Sequence, residues 1–333
     1  MMRNGAKPAS ARILVVRLGA LGDIIHTLPA VASLKHSYPA STVTWVVEPQ
    51  WKPLLEDNPF VDRVVLLRRG ALAGLRESWR ELRSCHYDFA VDFQGLLKSA
   101  LVASAARPER IFGFHQSQVR ERLAALFYSN KTAARSAHRV DQNLELAAAA
   151  GAANPVIKFP LPPGRQEAEL PAGDFVLASP LAGWRAKQWP LEYYRALADR
   201  LRRDLGVSLV LDGPAAAQPL LGSVADAVTH ASSLSGLIYA TRRAAAVVGV
   251  DSGPLHIAAA LGKPGVAIYG PTDPARNGPY GDSLRVLRRS DAVTTYKRGA
   301  SIDASMARID PEEVFETLRS VLGQRSRSAG CMS

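Results

Sequence analysis

The sequence predicts an α/β protein built from two parallel-sheet domains, on three observations. Short β-branched runs alternate with longer helical stretches, the pattern of strands joined by crossover helices. The alternation stops at a proline-rich stretch and restarts beyond it. A chain of 333 residues also exceeds one ordinary core, so two domains of about 150 residues each are expected.

In the first half, strands are expected at 13–16, 43–47, 64–67, 89–91 and 110–112. Helices are expected at 24–36, 72–83, 96–105 and 139–150, the last stopped by Gly151. Pro155, Pro160, Pro162, Pro163 and Pro171 then fall within 154–173, which can continue neither a helix nor a central strand and reads as a linker. Strands resume at 175–177, 208–211, 246–250 and 265–269, with helices between them. Asp310-Pro311-Glu312-Glu313 starts a final helix, with Asp as N-cap, Pro at the first helical position and acids in the first turn. The expected division is therefore 1–160, 174–309, a helix over 310–323 and a disordered tail over 324–333.

Composition narrows the function classes. An apolar fraction of 47% supplies two cores and excludes a disordered chain. Runs long enough to span a bilayer, about 18 apolar residues, are lacking, and the first ten residues do not read as a secretion signal. Cys85 and Cys331 make no disulfide framework, so a cytoplasmic location is expected. The net charge of +11 favours an anionic partner: nucleic acid, an anionic membrane face, or a phosphorylated or carboxylated substrate. Neither an aromatic-interleaved basic run nor zinc-ligand spacing is present, which argues against a nucleic-acid module.

Distinctive residues cluster where strands end, the place where open α/β sheets bind ligands. After the first strand, Gly19 and Gly22 permit a tight turn with close backbone approach, and Asp23 falls where a helix begins. Asp23 is either a plain N-cap or a carboxylate able to take a proton from an attacking hydroxyl. The G-x-x-G spacing is not a dinucleotide fingerprint. In the second half, Asp251-Ser252-Gly253-Pro254-Leu255-His256 joins a strand to a helix whose N-terminal N–H groups suit a phosphate, with His256 one turn in. Gly183, Arg185 and Lys187 form another post-strand loop, offering cations to a diphosphate or merely to solvent. Basic side chains near loops of the first half, Arg68, Arg69, Lys98 and Arg120 among them, with His115 and His138, would draw an anionic acceptor if they line a cleft.

Five motifs in one order resemble glycosyltransferase family 9, and within it the heptosyltransferase I branch. They are Gly19 to Pro29, Asp92 to Ser99, Lys187 to Pro190, Asp251 to His256 and Gly270 to Pro274. The resemblance runs from about Arg12 to Leu322 and takes in Arg120 to Tyr128. It implies a GT-B fold, two Rossmann-like domains facing across a cleft, with the acceptor on the N-terminal one and a nucleotide sugar on the C-terminal one. It implies inverting transfer of L-glycero-D-manno-heptose from ADP-heptose to the Kdo region of lipid A–Kdo, an anionic glycolipid, without a metal or other cofactor. It further implies a monomer in peripheral contact with the cytoplasmic face of the inner membrane, and no nucleic-acid partner. Asp23 matches the family's general base. Lys187, Asp251, Ser252, Gly253, His256 and Gly183 match donor contacts. Gly19, Gly22, Arg68, Arg69, Lys98, Arg120 and His138 are assigned to the acceptor side. Two positions depart from the pattern: Ala182 and Gly183 replace paired threonines, and Ala215 stands near the place of a ribose-holding glutamate. The alternative readings are a family 9 transferase using another nucleotide sugar and anionic glycan acceptor, a nucleotide-sugar epimerase, or, from the net charge, a non-catalytic binder of nucleic acid or an anionic membrane.

Overall fold

The computed structural model describes residues 10–295 and 297–330, the last six as backbone alone. Cys331 and the polar N-terminal residues 1–9 lie outside the described residues. The chain divides into two compact units, 1–162 and 163–333.

The first unit runs β1 (Arg12–Val16), α1 (Leu21–Ile25), α2 (Leu28–Ser37), β2 (Thr42–Val47), β3 (Arg63–Leu66), α3 (Leu72–Leu82), β4 (Phe89–Asp92), α4 (Leu97–Ala105), β5 (Arg110–Phe114), β6 (Asn130–Thr132) and α5 (Arg139–Ala149). The second runs β7 (Phe175–Ser179), α6 (Leu191–Leu205), β8 (Ser208–Gly213), α7 (Gln218–Leu221), β9 (Ala227–Ala231), α8 (Leu234–Arg243), β10 (Ala246–Val250), α9 (Gly253–Ala260), β11 (Gly265–Tyr269), α10 (Pro274–Asn277), β12 (Leu284–Arg288), α11 (Ala304–Ala307) and α12 (Pro311–Gly330). All strand pairs are parallel. The sheet orders are β3-β2-β1-β4-β5-β6 and β12-β11-β10-β7-β8-β9. Counted within each unit, both are the doubly wound order 3-2-1-4-5-6, which reverses between the first and fourth strands.

Central strands β1, β4, β7 and β10 are buried along nearly their whole length, as expected for parallel strands covered on both faces. In the second unit Trp189 is buried against Tyr193 and Tyr194, and its indole N–H donates to the Ile309 carbonyl at 2.9 Å. This contact anchors the start of α6 to the segment leading into α12. The proline-rich stretch is tied down at each end by its own unit. Val156 N donates to Ser33 Oγ at 2.8 Å, and Arg165 N donates to the Ser235 carbonyl at 3.3 Å. Gly164, at φ +74°, lies so close to α8 that a Cβ there would sit 2.5 Å from Ser235 O.

The structure departs from the sequence expectations in three places. The helix expected over 24–36 is two helices, broken at His26-Thr27. Pro29 has no N–H to give the Ile25 carbonyl, so the turn cannot continue. Thr27 Oγ1 instead donates to Asp23 O at 2.8 Å, and Asn143 Nδ2 donates to His26 O at 3.0 Å. Second, β6, β9 and β12 were not expected; each is the outermost strand of its sheet. Third, α12 passes the expected end at 323 and runs to Gly330.

One buried carboxylate organises the turn from β4 into α4. Asp92, wholly buried, accepts from Gln94 N at 2.8 Å, Ser99 Oγ at 2.8 Å and Tyr128 Oη at 2.7 Å. Gly113 lets the Tyr128 ring lie on β5, since a Cβ there would stand 2.3 Å from it. Burial raises the Asp92 pKa above the usual carboxylate value against the pull of these hydrogen bonds, and burial likewise raises that of Tyr128. Asp92→Ala strands several buried donors and is expected to cost roughly 3 kcal/mol in denaturant unfolding of the first unit. A carboxyl whose folded pKa is raised contributes stability that is complete below its unfolded pKa and is lost as pH rises through the folded one. Subtracting the Asp92→Asn curve from the wild-type curve should therefore leave a contribution that declines with rising pH.

Candidate active site

Where strand order reverses, the loops after the first and fourth strands of a unit diverge and leave a crevice. In the first unit these are the loops after β1 and β4, and three bonds lock them together. Arg17 Nη1 donates to Phe93 O at 2.6 Å, Leu18 N donates to Gln94 Oε1 at 2.8 Å, and Phe93 N donates to Val16 O at 3.1 Å. Trp45 Nε1 adds a 3.0 Å bond to Arg17 O from β2. Gly19 is required here, because a Cβ would stand 2.7 Å from Trp51 Nε1.

Asp23 is the third residue of α1 rather than its N-cap. Its Oδ2 forms an ion pair with the Arg17 guanidinium and accepts from Ala20 N at 3.4 Å. Arg17 is 6% exposed and Asp23 is 43% exposed, so a buried cation holds an accessible carboxylate. Both of these contacts use Oδ2. Arg17 is not among the residues expected from the sequence; its one local signal is a charge directly after a buried strand.

The basic residues assigned to the acceptor divide. Glu48, just beyond β2 and 13% exposed, pairs with Arg69 at 2.8 Å and Lys98 at 3.3 Å, joining the edges of β2, β3 and β4. Glu48 was also missed. Arg68 pairs with Glu77 at 3.2 Å. Arg120 is exposed beside the 3-10 turn Arg122–Phe127, whose Leu123 and Leu126 are 61% and 73% exposed. His138 caps α5 through Nδ1, which accepts from Val140 N at 3.1 Å, and its ring meets buried His26 edge-on at 5.4 Å. His138 thereby lies against the α1–α2 junction at His26. Gly22 is half-buried within α1, and His115 bonds locally to Ser117 at 2.9 Å.

In the second unit the corresponding loops follow β7 and β10, and again one contact spans the reversal. Lys187 Nζ lies 3.0 Å from Asp251 Oδ2, with the side chains 15% and 13% exposed. The Asp251 charge adds to burial in pushing the Tyr269 hydroxyl well above its usual pKa. Ser252 is the N-cap of α9, yet its hydroxyl makes no cap bond and is shielded from solvent without a partner. Gly253 and Pro254 open the helix, and His256 is buried in its first turns. A Cβ on Gly183 would meet nothing within 4 Å, so that stretch of backbone is open to close approach. Near the place of the absent ribose glutamate, Asp212 turns inward. His230 Nδ1 at 2.8 Å and Ser232 Oγ at 2.7 Å both bond its Oδ1.

The family described as Glycosyltransferase family 9 (heptosyltransferase) matches residues 75–302. The chain belongs to this family. It is a glycosyltransferase. Lipopolysaccharide heptosyltransferase 1 of Pseudomonas aeruginosa is 33% identical over 298 residues, covering 82% of each chain. The Escherichia coli K12 protein of that name is 32% identical over 298 residues, covering 83% of this chain and 93% of its own. Among solved structures, E. coli heptosyltransferase WaaC with ADP aligns at TM-score 0.73 and 26% identity, covering 93% of this chain and 99% of that one. E. coli ADP-heptose lps heptosyltransferase II aligns at TM-score 0.77 and 25% identity, covering 95% and 99%. These neighbours carry the expected GT-B architecture, and this family 9 transferase has its pair of doubly wound sheets.

Proposed function

We propose that this chain transfers heptose from ADP-L-glycero-D-manno-heptose to the Kdo region of lipid A–Kdo, with inversion and without a metal. The Lys187–Asp251 contact beside the start of α9 carries the reading, because it puts a cation and a helix N-terminus together at the reversal of the second sheet. The relative solved with ADP supports a nucleoside diphosphate as part of the donor. In this reading Gly183 lets backbone approach the donor, Ser252 and Gly253 offer the hydroxyl and N–H groups, Lys187 meets the diphosphate, and His256 and Asp251 shape the turn.

The reaction is a single displacement. The acceptor hydroxyl oxygen bonds the anomeric carbon as the bond from that carbon to the diphosphate oxygen breaks. Asp23 takes the hydroxyl proton, and Arg17 keeps the carboxylate aimed through Oδ2. The negative charge leaves on the diphosphate, where fixed donors stabilise it. Gly19, Gly22, Arg68, Arg69, Lys98, Arg120 and His138 serve the anionic acceptor. Described helices include none long and apolar enough to cross a membrane. We assign a monomer working at the cytoplasmic face of the inner membrane, where exposed Leu123 and Leu126 with Arg120 and Arg122 suit an anionic surface.

A second reading, a different nucleotide sugar, is favoured by one observation: Asp212 is consumed by His230 and Ser232 and Ala215 offers no carboxylate. Thermal shift with ADP, UDP, GDP and dTDP decides between the two. A ligand at a hundredfold excess over its Kd stabilises by about 2.7 kcal/mol, so the cognate diphosphate should raise Tm clearly above the others. ADP is the expected one.

Asp23→Ala should lower turnover by roughly 10²- to 10⁴-fold, the usual contribution of a general base, and leave ADP affinity within about twofold of wild type. Arg17→Lys, which loses the planar fork, should give a smaller loss of the same kind. Steady-state kinetics beside calorimetric ADP binding measures both; undiminished turnover in Asp23→Ala would end the assignment.

A further inference from the structure

Between Arg288 at the end of β12 and Ala304 at the start of α11, residues 289–295 and 297–303 lie by the C-terminal edge of the second sheet. They are fastened at two places. Thr295 N donates to Pro271 O at 2.7 Å, while Arg288 holds Ala292 O at 2.8 Å, Thr294 Oγ1 at 2.9 Å and Gly270 O at 3.1 Å. Farther on, Asp303 N donates to Ala186 O at 3.3 Å, and a Cβ on Gly299 would come within 3.1 Å of the Ala186 Cβ. Pro271 follows β11 and Ala186 follows β7; β10, which leads into Asp251 and Ser252, lies between those strands. Thr295 and the stretch 297–303 are therefore fastened to the strands on either side of β10.

That stretch carries Arg298. Its Cζ lies 5.8 Å from the centre of the Trp184 ring, and Lys187 Nζ lies 4.9 Å from the centre of the same ring. An aromatic face attracts a cation without neutralising it. Charge then decides the matter. Asp251 matches Lys187, so that pair is neutral overall, whereas the diphosphate of a sugar nucleotide carries about two negative charges at neutral pH. Among the described residues no carboxylate lies within ion-pair reach of Arg298. Its charge is unspent, and its guanidinium has the geometry for two phosphate oxygens at once.

We propose that Arg298 is a second diphosphate-binding cation of the donor site, with Trp184 as the positioning residue that holds it beside Lys187. This rests on the reading of the second unit as the nucleotide-sugar site. The test is isothermal calorimetry on the full chain with two probes, ADP and inorganic pyrophosphate, each titrated into wild type, Arg298→Ala, Arg298→Lys and Trp184→Leu. Losing a charge-assisted bidentate contact should weaken both probes by about tenfold or more in Arg298→Ala. Arg298→Lys should recover part of the loss, and Trp184→Leu should show a smaller loss that vanishes when combined with Arg298→Ala. Adenosine, titrated by competition, should bind wild type and Arg298→Ala alike. Unchanged affinity for both probes in Arg298→Ala overturns the proposal and leaves the parent reading standing, as does a loss equally large for adenosine. A wild-type chain that binds pyrophosphate but not ADP contradicts ADP as the donor nucleotide, while Arg298 is still judged on pyrophosphate. A wild-type chain that binds neither sinks both.

Discussion

In each unit the strand order reverses once, and crossover helices on either side of that reversal cannot close over the ends of the two strands that flank it. The rest of the molecule is arranged around this constraint. The loops after β1 and β4 are tied through Arg17 and Gln94, and those after β7 and β10 through Lys187 and Asp251. A polar contact at the reversal does two things. It satisfies groups that the missing helix leaves uncovered, and it sets charged atoms at the one edge where a ligand can reach backbone N–H groups. Of this ion pair, Asp23 is the accessible member and Arg17 the buried one, so the group presented to solvent at this edge is a carboxylate and not a guanidinium.

The cations at both sheet edges are largely held by acids of the chain itself. Glu48 holds Arg69 and Lys98, and Asp251 holds Lys187. Such pairing keeps half-buried side chains in one geometry before any substrate arrives, which lowers the entropy cost of binding. It also means that an incoming anion must compete with a carboxylate already in place. Among the described residues, Arg120 in the first unit and Arg298 in the second have no carboxylate within ion-pair reach, so their attraction for an anion is undiminished.

Much of this was legible in the sequence, for identifiable reasons. Buried parallel strands are largely apolar runs, so β1, β2, β3, β4, β5, β7, β8, β10 and β11 could be read directly. The outer strands β6, β9 and β12 could not. Asn130-Lys131-Thr132 is polar throughout, β9 shows solvent three of its five residues, and β12 alternates with arginines; each gains its order from one neighbouring strand only. The expected helix over 24–36 ignored the cost of Pro29 one turn inside it. Site residues followed the same division. Asp23, Asp251 and Ser252 are conspicuous because they stand just after strands with glycines within two residues, whereas Lys187 sits in a loop where a cation can equally face solvent. Arg17 and Glu48 act through partners that are distant in sequence, Phe93 and Lys98 among them, and no local pattern marks such contacts. Arg298 belongs to the same class.

The central claim is that the second unit's reversal holds the donor diphosphate. A crystal structure of the chain with ADP tests it most directly. The account predicts phosphate oxygens within hydrogen-bond reach, about 3 Å, of Lys187 Nζ and of the N–H groups that open α9. A diphosphate seated on the first unit, or bound to the second without touching Lys187 or the Ser252–Gly253 turn, would contradict it.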